Sequence, residues 1–151
     1  VSCPTENAYL QGRQDLYPKR RGLTRVKEFM EAGINVAFAQ DSINDPWYPM
    51  GNGNMMNILD NGIHLAQIMS PEEIEKDLDL ITYNGARCLN IQDRYGLDVG
   101  KDANFIVLDG DSPFDVIRNR AGVLASIRKG EYLFKKKLVE YDVKLDLGIN
   151  Y

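Results

Sequence analysis

Histidine is almost missing from this sequence: His64 is the single one among 151 residues. Catalytic dyads and metal sites generally need several histidines or cysteines close together. One His in the middle of an amphipathic helix cannot build such a site alone, so His64 reads as a packing or hydrogen-bonding residue. Cysteine is nearly as scarce. Cys3 and Cys88 lie far apart and form no CxxC pair, which speaks for two buried thiols in a reduced, cytoplasmic protein. No apolar run approaches the roughly 18 residues needed to span a bilayer. The chain opens Val1-Ser2-Cys3-Pro4 without a basic, apolar leader or an initiator Met, and therefore reads as a piece of something longer. Phosphate-cradling GxGxxG and GxxxxGK[ST] loops are absent. Gly51-Asn52-Gly53-Asn54 follows shortly after a Pro and reads as a turn into a helix. Basic charge is also lacking: the net charge is −4 and the pI about 5.0, which argues against a nucleic-acid partner. The one basic cluster, Lys135-Lys136-Lys137, reads as a solvated strand end.

What is present is ordinary globular material, 44% hydrophobic and 26% charged. Residues 4–22 are polar and punctuated by Pro and Gly, which predicts a long loop. Thr24 can cap a helix that carries Val26, Phe29 and Met30 on one face and ends near Gly33. The apolar run 34–39 predicts a buried strand, and 43–52 a second loop. An amphipathic helix is expected over 53–69. Ser70-Pro71-Glu72-Glu73 then supplies an N-cap, a first-position Pro and a capping-box Glu for a helix reaching about residue 90. From Gly96 the pattern turns to strands: 103–108, 123–128, and a tight turn at Gly130-Glu131 into Tyr132-Leu133-Phe134, with one helical turn at 112–117 between them. Helix and strand thus alternate to about residue 92, and a β-rich segment follows.

In α/β folds, functional side chains sit at the C-terminal ends of strands. Two such places exist: Cys3-Pro4-Thr5-Glu6-Asn7, and Asp41 directly after the run 34–39. A carboxylate at position 41 can bind a metal or act as a general base; equally, it can cap a turn by bonding its own backbone. Trp47, the single tryptophan, lies in a loop between two prolines. It can line a ligand pocket or anchor the loop by packing.

The wording of the sequence goes further. Leu10-Gln11-Gly12-Arg13, Tyr17-Pro18-Lys19-Arg20-Arg21-Gly22, Thr24-Arg25-Val26-Lys27-Glu28 and Asp45-Pro46-Trp47-Tyr48-Pro49 resemble, in order and spacing, the bacterial cytosine deaminases of the amidohydrolase superfamily. Leu80-Ile81-Thr82, Ala86-Arg87 and Leu89-Asn90 continue the likeness, which fades beyond Phe134. The resemblance implies the C-terminal part of a (β/α)8 (TIM) barrel over 1–92, from the end of strand seven to helix eight. A small β-sandwich would take up 93–151. It implies one divalent metal ion, iron or zinc, with Asp41 as ligand and proton shuttle and the remaining ligands outside this chain. Trp47 matches a tryptophan lining the family's pyrimidine pocket. Where the family has His before its ligand Asp and a second Asp after it, this chain has Gln40 and Ser42. Ser42 therefore falls where substrate preference is set.

The implied activity is hydrolytic deamination of cytosine, or of a related amino-pyrimidine or amino-triazine, to uracil (or its analogue) and ammonia, in pyrimidine salvage. A single Asp cannot do this alone, so the isolated chain is expected to be inactive. Its partners would be a nucleobase substrate, the rest of the barrel and a second copy in a homo-oligomer. Two other readings stay open: a superfamily hydrolase of another cyclic amide or amidine, and a non-catalytic module derived from one.

Overall fold

A computed structural model describes residues 1–137. The last part of the expected β-sandwich segment, 138–151, lies outside the described residues. Among the described residues the architecture is α/β, with six short helices and an antiparallel three-stranded sheet.

The first element corrects the sequence reading. Residues 4–10 are not loop but helix α1 (Pro4–Leu10), with Pro4 in the first turn, where its missing N–H costs nothing. Its buried residues are Pro4, Thr5 and Glu6. Two of these are polar, so no apolar stripe announces the helix. Helix α2 (Val26–Glu31) starts later than expected, after Arg25 and without a side-chain cap, so Thr24 is not its N-cap. Its C-terminus is as expected. Gly33 takes φ 74, Gly33 N donates to Met30 O, and Ile34 N donates to Phe29 O. This paired motif satisfies the last carbonyls of the helix.

The run 34–39 forms no regular strand. Val36, Ala37 and Phe38 are buried, but their backbone is satisfied piecemeal. Ser2 N donates to Ala37 O and Ala39 N to Ser2 O, a lone parallel bridge. On the other flank Phe38 N reaches Leu80 O at 2.8 Å, and Asn84 Nδ2 reaches Val36 O at 2.8 Å. A ladder needs a partner along its whole length; among the described residues only the segment around Ser2 offers one.

Helix α3 (Met55–Ala66) is capped by Asn54, whose side chain accepts from Met56 N. It is shorter than the 53–69 expected, because Gln67 turns left-handed at φ 56. Gly62 faces the Phe38 ring so closely that a Cβ there would lie 2.4 Å from Phe38 Cε2. Helix α4 (Pro71–Asp77) has the full Ser70/Glu73 capping box. The long helix expected to continue to residue 90 breaks instead. A 3-10 turn (Leu78–Ile81) intervenes, Thr82 leaves helical geometry at φ −127, ψ −96, and α5 (Tyr83–Cys88) starts afresh. Thr82 Oγ1 donates to Leu78 O at 2.7 Å, a local bond that competes with the helical ladder.

The sheet runs β1 (Phe105–Leu108), β2 (Val123–Arg128) and β3 (Glu131–Lys135), in that spatial order. Arg128 pairs with Glu131, so the turn is Lys129-Gly130, one residue before the expected place. Both turn residues have positive φ, 53 and 82, as a type I′ hairpin requires. Helix α6 (Pro113–Arg118), capped by Ser112, packs Val116 and Ile117 against α3 and α4. The core gathers Phe38, Leu59, Ile63, Ile68, Leu80 and Ile117. Full burial of each such side chain stabilises by about 1.5–3 kcal/mol. The cysteine expectation is half right: both are unpaired, but Cys88 is exposed and only Cys3 is partly buried.

Candidate functional site

The Ser2–Phe38 bridge is parallel, so the residues that follow each segment emerge on the same side. That brings the first turn of α1 beside residues 40–42. Glu6, only 5% exposed, reaches across to Ser42. Its Oε2 accepts from Ser42 N at 3.2 Å and its Oε1 accepts from Ser42 Oγ at 3.0 Å. Both hydrogens of a buried serine thus end on one buried carboxylate.

Asp41, between Gln40 and Ser42, has φ 66. Asp is among the few non-glycine residues that tolerate this left-handed conformation. Its side chain is exposed, and no described hydrogen bond ties the carboxylate to its own backbone. The turn-capping role belongs instead to Asp45, whose Oδ1 accepts from Trp47 N at 2.9 Å and Tyr48 N at 3.0 Å. Those bonds hold the Asp45 carboxyl below the usual carboxylate range, Tyr48 N–H contributing most and Trp47 N–H also helping. Cys3 completes the cluster. Burial raises its thiol pKa first, and the negative charges of Asp41 and Glu6 raise it further.

The loop 43–52 is closed at its base. Gln40 Oε1 accepts from Gly53 N at 3.2 Å, and Asn44 N donates to Gly51 O at 3.1 Å. Gly51 is forced by close approach: a Cβ there would lie 2.0 Å from Ser42 O. Tyr48 anchors the loop to α1, its ring 5.8 Å from that of Tyr9. Trp47 does not share this packing and remains 66% exposed. Asp41, Ser42, Glu6 and Cys3 are therefore brought together, with Trp47 standing apart on the loop. The sequence marked the strand end that contains Glu6 but did not single Glu6 out. In sequence it is one more acid in a polar stretch, and no local signal marks it. His64 fits its structural reading, Nδ1 lying 2.6 Å from Asp60 O with the ring more than half exposed.

Among the described residues no three His, Cys, Asp or Glu side chains are grouped to hold an ion. Glu6 is committed to Ser42, which leaves Asp41 as one free carboxylate. The described residues of this cluster fit the contribution of a single ligand.

The sequence pattern of the amidohydrolase family matches residues 1–134. The chain belongs to the amidohydrolase family. It is 34% identical over 114 residues to N-isopropylammelide isopropyl amidohydrolase from Pseudomonas sp. (strain ADP), covering 76% of this chain and 28% of that protein. Its fold superposes on the 5-methylcytosine deaminase from Klebsiella pneumoniae, crystallised with 5-fluorocytosine, at a TM-score of 0.90 and 48% identity. That match covers 94% of this chain and 34% of the other. Escherichia coli guanine deaminase shares the fold at a TM-score of 0.64 and 21% identity, over 89% of this chain and 33% of that one. This amidohydrolase chain thus spans about a third of the length of the relatives it matches. Among the described residues no helix is long and apolar enough to cross a membrane.

Proposed function

We propose that this amidohydrolase chain is the C-terminal third of a metal-dependent hydrolytic deaminase that converts cytosine, or a closely related amino-pyrimidine, to its keto product and ammonia. One observation carries the reading. A free Asp41 carboxylate stands on a left-handed turn beside a parallel bridge, in a chain 48% identical to a 5-methylcytosine deaminase. Residues 1–92 would supply the last strands and helices of a (β/α)8 barrel, and residues from 93 onward strands of a small β-sandwich. The parallel Ser2–Phe38 pairing and the antiparallel β1-β2-β3 sheet support that division. Exposed Ile106, Leu133 and Phe134 on the sheet suit contact with the rest of the protein, and the whole enzyme is proposed to be a homo-oligomer.

Asp41 would help hold one divalent ion, iron or zinc, with ligands outside this chain; such an ion, when bound, makes hydroxide available near neutral pH. Asp41 takes the proton of the attacking water and delivers it to the amino group that departs as ammonia. Ser42, beside it, meets an edge of the substrate ring. Trp47, on the loop above, covers a face of the ring; a rigid-loop aromatic can supply that contact.

The decisive experiment compares cytosine, isocytosine, creatinine and hydantoin on the full-length protein. Cytosine should give the highest kcat/KM for ammonia release, and the isolated 151-residue chain should give none. Turnover by the isolated chain, or preference for a cyclic amide without ammonia release, would overturn the reading. A second substrate class is favoured by the 34% identity to N-isopropylammelide isopropyl amidohydrolase: an amino-triazine. N-isopropylammelide belongs in the same panel.

A further inference from the structure

We infer that Glu6 is a specificity-determining positioning residue, which acts through Ser42 and never touches the substrate; the inference rests on the reading of Asp41 and Ser42 as site residues. A serine hydroxyl has one hydrogen to donate and two lone pairs with which to accept. In this fold the hydrogen points to Glu6 Oε1 at 3.0 Å, while Oε2 fixes the Ser42 backbone N–H at 3.2 Å. Asp45, a second carboxylate close by in sequence, accepts from Trp47 N and Tyr48 N and has no hydrogen to offer. Neither acid can return one. Ser42 therefore offers a ligand only lone pairs, and the wall around it, with Asp41 and Asp45 nearby in sequence, is a wall of acceptors.

Such a wall fits a ring edge that carries an N–H or amino donor and repels an edge that carries a carbonyl or an unprotonated ring nitrogen. Both partners are buried, Glu6 at 5% and Ser42 at 9% exposure, so water does not scramble the hydroxyl's direction. Glu6 sits on the first turn of α1, 36 residues before Ser42. The chemistry presented at the end of one chain segment is thus set by a residue at the end of its neighbour.

Glu6→Gln tests this directly in the full-length enzyme. The carboxamide is nearly the same size, yet its NH2 can donate to Ser42 Oγ and release the hydroxyl hydrogen toward the ligand. With cytosine as the probe, E6Q should raise KM about tenfold (about 1.4 kcal/mol), leaving kcat within about threefold and the bound-metal content unchanged. Ser42→Ala should move KM the same way, and E6Q added to it should do nothing more, since there is no hydroxyl left to turn. Glu6→Ala, which frees the hydroxyl without offering a donor, repeats the test by another route.

An unchanged KM in E6Q, or effects of E6Q and S42A that add, would overturn the inference and leave the deaminase reading in place. Failure of both Glu6 variants to fold would assign Glu6 to the fold alone and overturn it equally. No turnover of cytosine or N-isopropylammelide by the wild-type enzyme would overturn both readings together.

Discussion

Replacing Asp77 by Asn should stabilise the protein above neutral pH and change little in acid. Asp77 closes α4, is 1% exposed, and neither of its carboxyl oxygens has a hydrogen-bond partner among the described residues. Burial, and then the charge of Glu73 one turn earlier, raise its pKa from the ordinary 3.8 to about 7. The C-terminal end of a helix also disfavours negative charge. Below 3.8 the folded and unfolded forms both keep the proton, and the group adds no pH dependence. Between there and about 7 the unfolded chain releases the proton while the folded one retains it, so stability falls as pH rises. Above about 7 both are ionised and the loss is constant. The difference of about 3 units, at 1.36 kcal/mol each, sets a ceiling of about 4 kcal/mol. Local opening that admits water should bring the observed gain for D77N to about half of that. Urea unfolding of wild type and D77N at about pH 4 and about pH 8 measures it. An equal stability difference at both pH values would refute the reasoning. The effect reaches toward the site, because the 3-10 turn after Asp77 holds Phe38 N through Leu80 O.

Three substitutions check other parts of the structure. In the full-length enzyme, Asp41→Asn should lower kcat at least about a hundredfold, since an amide ligates poorly and accepts no proton; near-normal kcat with metal retained would return Asp41 to a turn residue. Trp47→Ala should mainly raise KM, by the factor that about 1–3 kcal/mol of stacking represents, and a kcat effect alone would remove Trp47 from the substrate. Gly62→Ala places a methyl 2.4 Å from Phe38 Cε2 and should destabilise by about 1–3 kcal/mol; an unshifted denaturation midpoint would show that α3 and the Phe38 segment are free to separate there.

Local chemistry was legible in the sequence wherever it was complete within a few residues. The Ser70-Pro71-Glu73 box, Gly33 after α2, and the strands around 105–108 and 123–128 all stand as expected. What depended on distant partners was not. The run 34–39 has the apolar residues of a strand, but its hydrogen bonds go to Ser2, Leu80 and Asn84, none of which its own composition reveals. Thr82 looked like one more residue of a long helix until its hydroxyl bonded Leu78 O. Helix α1 was hidden because its buried face carries Thr5 and Glu6. The same feature concealed the site: a Glu in a polar stretch signals solvent, and nothing nearby in sequence says that it reaches Ser42. Asp41 was visible because it is the first charged residue after an apolar run.

The base of the 43–52 loop has a consequence for how such a protein changes over generations. Its two ends are already stapled together, by Gln40 to Gly53 and by Asn44 to Gly51, so the entropy of closing the ring is settled below its tip. Doubling the length of a flexible loop adds only about 0.6 kcal/mol. Insertions, deletions or new aromatics around Pro46 and Trp47 therefore leave the fold and the Asp41 turn nearly untouched. Under the proposed function, the tip would be free to meet differently shaped ring compounds while the Asp41 turn beneath it keeps its place.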